Sequence, residues 1–398
     1  MIRFFAAVFG AVMNCLYALF KLQKTKNRIA FISRQSETPS LDFRMLIDTL
    51  QREYPQYEIA VLCKMIPAGI GGKIAYAAEL LRQMNAMATS RVVVLDGYCI
   101  LASMLNHKKD LKIIQLWHAL GAFKKFGKSV VGKEGGKSAA VADGFRMHRN
   151  YDLIAASGES CALPFAEAFG QPVEKIVPIG IPRMDYLTDE TEAENRREAV
   201  FAHYPELNNG KKTILYAPTF RDTDADRAAL KAATDALVRA VDYSRFNLVV
   251  KHHVVDTNKE QVYTNSAENL RDGEAFTAMD FMAVSDAVIT DYSSVIYEAL
   301  LQELSLYLYC FDSEKYIDER GFYIDFFKDI PAVFGATAEE ICTAVSENRC
   351  AEAAQVKQFK ERYVNKQFDS ITVVWCTVID ELARGVYDGR YNYRAMTD

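Results

Sequence analysis

The stretch "DAVITDYSSVIYEALL", residues 286–301, decides the fold. "DAVIT" carries the short β-branched apolar run of a buried strand, and "SSVIYEALL" reads as a helix with Ser293 and Ser294 at its start. A strand that feeds a helix through a short polar turn is the repeating unit of a parallel, doubly wound α/β sheet.

The same alternation runs outward in both directions. "RIAFIS", "EIAVLC", "RVVVLDG", "KIIQLWH", "YDLIAAS" and "KIVPIG" read as strands, with helical segments such as 42–53 and 71–88 between them. They predict a first Rossmann-like domain over 29–187. Residues 188–210 are polar, end in Asn-Asn-Gly, and read as the interdomain connection. "KKTILYAPTF", "FNLVVKHH", "AVITDYSS" and "LYLYCF", separated by helical stretches at 224–241, 278–284 and 294–303, predict a second Rossmann-like domain over 211–365. Residues 366–398 are expected to form a helical segment that packs back on the first domain. No G-x-G-x-x-G follows a strand and no G-x-x-x-x-G-K-[ST] is present, which disfavours a nicotinamide dehydrogenase and a phosphate-loop enzyme.

A chain of 398 residues exceeds one typical core, which agrees with two domains. The formal net charge of -5 argues against a general nucleic-acid binder, so an anionic ligand must meet a local basic site. Eight cysteines occur without a C-x-x-C pair or histidines at metal-ligand spacing, and read as reduced, mostly buried thiols. No metal site is expected.

The N-terminus departs from this soluble pattern. "FFAAVFGAVMNCLYALF", residues 4–20, carries no charge and is followed by Lys21, Lys24, Lys26 and Arg28. As a helix it would be roughly 25 Å long, short for a hydrocarbon core of about 30 Å, and Asn14 would lie in its midst. Residues 1–28 are therefore expected to lie in a membrane interface, with the basic flank on the cytoplasmic side. A cleaved signal peptide and a buried helix of the first domain are the competing readings.

In doubly wound sheets ligands bind outside the carboxyl ends of the strands. Four such ends carry polar clusters: "WHALGAFKK" (117–125), "YAPTFRD" (216–222), "KHH" (251–253) and "TDYSSVIYE" (290–298). Hydroxyls and N–H groups of Ser293 and Ser294 can hold phosphate oxygens, with the helix dipole adding about 0.3–1 kcal/mol. Plain N-capping by Asp291, Ser293 and Ser294 is the alternative. Pro218 ends its strand and sends Thr219 and Arg221 into a loop, where the planar fork of Arg221 can grip a phosphate or simply join a surface salt bridge. Strand alternation puts Lys251 and His253 on one face and His252 on the other. His118 follows a strand directly, so a neutral imidazole there can accept a proton from an attacking hydroxyl. A satisfied core histidine is the alternative.

Six blocks in order, "QLWHALGAFKKFG", "PIGIPRMDYL", "LYAPTFRD", "VVKHHVV", "DAVITDYSSVIYEAL" and "YLYCFDSEKYIDERGFYIDF", resemble the CDP-glycerol glycerophosphotransferases of teichoic-acid synthesis from about residue 29 to 380. The resemblance implies a GT-B fold, two Rossmann-like domains facing a cleft, and transfer of an alditol phosphate from a CDP-activated donor to a lipid-linked glycan acceptor at the cytoplasmic membrane surface. It implies His118 as base and His253 at the donor pyrophosphate. Ser293 and Ser294 match the phosphate-binding serines, with Thr219 and Arg221 beside them, and no cofactor is implied. The family often has Trp-His-Gly-Thr-Pro where this chain has Ala119, Leu120 and Gly121 after His118. Polymerising members often carry a large extra N-terminal region, which makes a priming step on CDP-glycerol the expectation. Polymerisation, use of CDP-ribitol, and a non-catalytic nucleotide-binding scaffold are the other readings.

Overall fold

A computed structural model describes residues 1–67, 69–133, 136–252, 269–271 and 275–397. The chain divides into two compact units, one made of residues 1–185 with 365–398 and the other of residues 186–364.

In the first unit β1 (Arg28–Ser33), β2 (Glu58–Cys63), β3 (Val92–Leu95), β4 (Lys112–Gln115), β5 (Leu153–Ala155) and β6 (Ile176–Val177) form a parallel sheet in the order β2-β1-β3-β4-β5-β6. In the second, β7 (Lys212–Tyr216), β8 (Phe246–Val250), β9 (Asn269–Arg271), β10 (Ala287–Thr290), β11 (Ser305–Tyr309) and β12 (Val333–Gly335) are parallel in the order β12-β11-β10-β7-β8-β9. Central strands such as β1, β3, β8 and β10 are buried at every residue, which is why they read as continuous apolar runs rather than as alternating ones. Strand order reverses once in each sheet, between β1 and β3 and between β7 and β10.

The boundary between units falls two residues before the expected one, and the segment read as a connection belongs to the second unit. Asp189 caps a helix over Glu190–His203 by accepting from Glu192 N–H at 2.8 Å. Arg196 on this helix is buried and donates to the carbonyl of Met279 at 2.9 Å. A buried guanidinium needs such partners, and they fix the helix to its own unit.

The N-terminal helix, Ile2–Phe20, lies along the first unit on a narrow stripe of Ala6, Gly10, Met13 and Tyr17, spaced at helical intervals. Gly10 permits close approach, since a Cβ there would sit 2.9 Å from the Met104 methyl. Asn14 donates to the carbonyls of Gly10 (2.8 Å) and Met104 (3.2 Å) and accepts from Asn106 N–H at 2.8 Å. His107 donates Nε2–H to the Ala102 carbonyl at 2.9 Å, so its Nδ1 accepts from Tyr17 Oη–H at 3.1 Å. Burial lowers the His107 pKa to about 4, which keeps that acceptor neutral. Apart from Arg3, which pairs with Asp143 at 2.9 Å, the exposed surface of the helix is largely apolar, with Phe4 at 75% and Leu19 at 65% exposure.

Residues 365–398 group with the first unit through a helix over Ile371–Arg384. Asp185 caps it, accepting from the N–H groups of Ile371 (3.0 Å) and Thr372 (2.8 Å) and from the Thr372 hydroxyl (2.7 Å). Fully buried Trp375 donates to the Gly180 carbonyl at 2.8 Å, and Tyr57 donates to Asp380 at 2.8 Å. Asp185→Ala removes at once the three capping bonds, a fourth from the Ser370 hydroxyl at 3.0 Å and the ion pair with Lys366 at 3.4 Å. It should cost about 2–3 kcal/mol and lower the unfolding midpoint of the first unit by roughly 4–10 °C in a thermal melt.

Candidate active site

At the reversal point of the second sheet the chain leaves β7 and β10 side by side. The Thr290 hydroxyl donates to the Ala217 carbonyl at 2.6 Å, and Thr219 N–H donates to Asp291 Oδ1 at 2.8 Å, which ties the two loops together. Asp291 has no exposed surface and also accepts from Tyr292 N–H (2.7 Å) and from Arg221 Nη2 (2.9 Å). Arg221, 3% exposed, gives further bonds to Asp312 at 2.8 and 3.1 Å and to the Thr219 carbonyl at 2.7 Å. Tyr292, Phe311 and Tyr316 rings surround its guanidinium at 5.0–5.6 Å.

This corrects the expected placement of Arg221. Arg221 does not extend from an open loop towards a phosphate, nor does it sit in a surface salt bridge; its fork is turned inward and spent on two carboxylates. Asp291 is the buried charge that Arg221 neutralises. Both act behind the loops. Burial works against the Arg221 charge, but Asp291 and Asp312 outweigh it and push the guanidinium above its ordinary pKa.

The remaining candidates stand in front of this pair. Thr219 is half-buried, and its Oγ1 has no hydrogen-bond partner among the described residues. Ser293 and Ser294 are half-buried at the start of the Val295–Leu301 helix. Ser293 Oγ accepts from Val295 N–H at 3.3 Å, whereas Ser294 makes no capping bond, so capping accounts for one serine and not the other. Lys251 is buried just past β8, its N–H donating to the Tyr216 carbonyl at 2.8 Å. His253 lies outside the described residues.

In the first unit β4 ends at Gln115, three residues before His118, so the strand does not run into the histidine as its apolar pattern suggested. The reason is a side chain. Gln115, fully buried, accepts from Trp117 N–H at 3.0 Å and donates to the Gly97 carbonyl at 3.0 Å, drawing Trp117 into a left-handed conformation with φ 64°. The Trp117 ring lies 5.0 Å from Phe126 and edge-on to Phe169 at 5.3 Å, contacts that offset the strain. Beyond it, Gly121 donates its N–H to the Ser157 hydroxyl at 2.8 Å.

His118 results from that turn. Its Nδ1 lies 2.9 Å from the Asp96 carbonyl, at the end of the adjacent strand β3. A carbonyl only accepts, so Nδ1 carries the proton and Nε2 keeps its lone pair. His118 is exposed at the surface, yet the dense protein around its ring lowers its pKa. The Asp96 carbonyl opposes that shift, Arg183 adds to it, and Asp42 opposes it. Arg183 and Asp42 are a buried pair, with Arg183 N–H to Asp42 Oδ1 at 2.8 Å and Nε to Oδ2 at 2.9 Å.

Sequence reasoning passed over Gln115, Asp96, Ser157 and the Asp42–Arg183 pair. Asp96 had a signal, since it follows "VVVL" as Asp291 follows "AVIT". Arg183 stood in the quoted block "PIGIPRMDYL". Among the described residues no group of three or more His, Cys, Asp or Glu side chains is arranged to hold a metal ion.

Residues 15–370 match the family model described as CDP-Glycerol:Poly(glycerophosphate) glycerophosphotransferase. The chain belongs to this family. It is 32% identical over 366 residues to the teichoic acid ribitol-phosphate primase of Bacillus spizizenii, covering 92% of this chain and 93% of that one. The teichoic acid glycerol-phosphate primase of Bacillus subtilis is 28% identical over 292 residues, 73% of each chain. Among solved structures, the wall teichoic acid polymerase TagF superposes with a TM-score of 0.75 at 20% identity, over 96% of this chain and 98% of that one. The fold is thus of the GT-B type.

Breaking the buried pair separates a structural role for Arg221 from a ligand role. Arg221→Met leaves Asp291 charged and uncompensated, and should destabilise the second unit by about 3–5 kcal/mol in urea unfolding. Unchanged stability with a raised KM for the donor would instead make Arg221 a ligand.

Proposed function

We propose that this glycerophosphotransferase catalyses a priming step, transferring glycerol phosphate from CDP-glycerol to a hydroxyl of a membrane lipid-linked glycan and releasing CMP. Family membership supplies the chemistry, and the orientation of His118 is the observation that carries the reading. With Nδ1–H committed to a carbonyl, Nε2 is the free basic atom, and a lowered pKa keeps it unprotonated near neutrality. The acceptor oxygen attacks the phosphorus that bears glycerol as the bond from that phosphorus to the oxygen bridging to CMP breaks. His118 Nε2 takes the hydroxyl proton, and CMP departs with the bridging oxygen. Thr219, Lys251, Ser293 and Ser294 are assigned to the donor phosphates, and His253 to the leaving oxygen on the strength of the "KHH" motif. Asp291 and Arg221 hold those loops in place.

His118→Asn should lower kcat by about 10²–10⁴-fold in a CMP-release assay while leaving CDP-glycerol affinity within twofold. Near-normal turnover would remove the base. In the parent enzyme, log(kcat/KM) should stay flat as pH falls to 6.5, the ordinary histidine value, and decline only below it, because a base with a lowered pKa loses its lone pair later on acidification. Turnover should persist in EDTA.

A second reading of the donor has specific support: the relative matched over 93% of its length is a ribitol-phosphate primase. Parallel assays with CDP-glycerol and CDP-ribitol decide between them by the ratio of kcat/KM.

We also assign the protein to the membrane surface through the open apolar face of the N-terminal helix. Lys21, Lys24 and Lys26 follow its end and suit anionic headgroups. A Phe5→Ser, Val12→Ser, Leu19→Ser variant changes exposed positions and spares the packed stripe. It should bind vesicles containing anionic lipid at least tenfold more weakly, with an unchanged melting temperature. Equal binding would overturn the assignment.

A further inference from the structure

The reversal point of the first sheet, between β1 and β3, corresponds to the place in the second sheet where the candidate donor groups gather. Each crevice has an aspartate directly after its strand, Asp96 after β3 and Asp291 after β10, and both are buried, at 2% and 0% exposure. Their partners differ. Asp291 is satisfied by two N–H groups and a guanidinium. Asp96 Oδ1 has no hydrogen-bond partner among the described residues, although its main-chain carbonyl holds His118.

Further polar groups surround this crevice. The helix Gly69–Thr89 follows β2 and so runs antiparallel to the strands, which brings its first half to their carboxyl ends. The helix buries polar side chains where a structural helix would bury apolar ones: Tyr76 at 5% exposure in that half, Glu79 at 5% at the helix midpoint and Gln83 at 0% one turn beyond. Gln83 donates Nε2–H to Glu79 at 3.3 Å, while Gln83 Oε1 and the Tyr76 hydroxyl form no bond of good geometry among the described residues, although the Gln83 side chain stands near enough to the Tyr76 hydroxyl to oppose the rise that burial gives its pKa. Asp96 and Glu79 both raise the pKa of Cys63 at the end of β2, after burial itself, which places both carboxylates in the neighbourhood of one strand end. Arg34, following β1, adds a buried Nε without a partner and lies over the Tyr98 ring at 5.8 Å. Unpaired buried polar atoms are costly, and several converging at a strand-end crevice mark a place where a polar ligand supplies the missing bonds.

We propose that Asp96, Gln83 and Tyr76 form the subsite for the hydroxyl-rich end of the acceptor, a sugar or alditol, beside the hydroxyl that His118 deprotonates. The chemistry selects that class. Asp96 Oδ1 and Gln83 Oε1 accept from vicinal hydroxyls, and the Tyr76 hydroxyl donates to a ring or hydroxyl oxygen. Burial pushes the Asp96 carboxyl up to about 6, against the opposing effect of Ser33, so a donating hydroxyl from the ligand relieves a real deficit.

The subsite rests on the transferase reading above, and the test separates the two. Asp96→Asn, Gln83→Met and Tyr76→Phe each keep volume while removing one bonding atom. With CDP-glycerol and a short-chain lipid-linked disaccharide, each should raise the acceptor KM, by roughly threefold to tenfold for Gln83→Met and Tyr76→Phe and by more for Asp96→Asn. The KM for CDP-glycerol should stay within twofold and the melting temperature within a few degrees. Unchanged acceptor KM in all three variants, or donor and acceptor KM rising together with a falling melting temperature, overturns the subsite while an active parent leaves the transferase reading intact. A parent that neither releases CMP nor binds the disaccharide in calorimetry overturns both.

Discussion

The carboxylate of Asp291 is the constraint on which the second unit is arranged. A charge with no exposed surface has lost its hydration and must recover it from neighbours. The neighbours come from three strand ends: Thr219 and Arg221 after β7, Tyr292 after β10 itself, and Asp312 after β11 through the shared guanidinium. An apolar trio of equal volume could be as stable, so the pair is best understood through geometry. Its bonds are directional, and they determine where Thr219, Ser293 and Ser294 stand at the reversal point of the sheet.

The first unit solves a different problem with neutral groups. The base proposed at the carboxyl ends of these strands must be oriented without being given a charged partner that would hold it protonated. Gln115 shapes the turn, the Ser157 hydroxyl takes Gly121 N–H, and the Asp96 carbonyl fixes the His118 tautomer. The nearest full charges, Arg183 and Asp42, act on His118 in opposite senses because they are paired with each other. Burial therefore decides the direction of the shift, and it favours the neutral ring.

Much of this was legible in the sequence because parallel strands buried on both faces leave unbroken apolar runs, and every predicted run from "RIAFIS" to "LYLYCF" contains a strand. His118, Ser293 and Ser294 were legible because polar residues directly after such runs stand at strand ends. Strand order was not legible, since pairing between β7 and β10 joins residues over 70 positions apart. The inward turn of Arg221 was hidden for the same reason: Asp312 is 91 residues away, and a local reading sees only an arginine in a loop. The left-handed Trp117 was hidden because its cause is one glutamine side chain, and Gln115 read as the tail of a strand.

Asn14 shows how one residue changes meaning once its face is known. In the sequence it is a polar flaw in an apolar segment, a reason to doubt a membrane span. In the fold it stands beside the packed stripe and makes three bonds: its amide N–H groups donate to the Gly10 and Met104 carbonyls and its oxygen accepts from Asn106 N–H. Tyr17 and Lys21 continue the attachment one and two turns later, through His107 and the Asn106 carbonyl. Crossing a bilayer would require the helix to leave the body, give up these bonds and carry an amide into hydrocarbon with no partner but its own backbone. Lying flat keeps them all and still presents Phe4, Phe5, Val8, Val12 and Leu19 outward. The same side chains that made the segment look like a flawed span suit the surface placement proposed for it, because the bonds of Asn14 and Tyr17 face the body while Phe4, Phe5, Val8, Val12 and Leu19 are open.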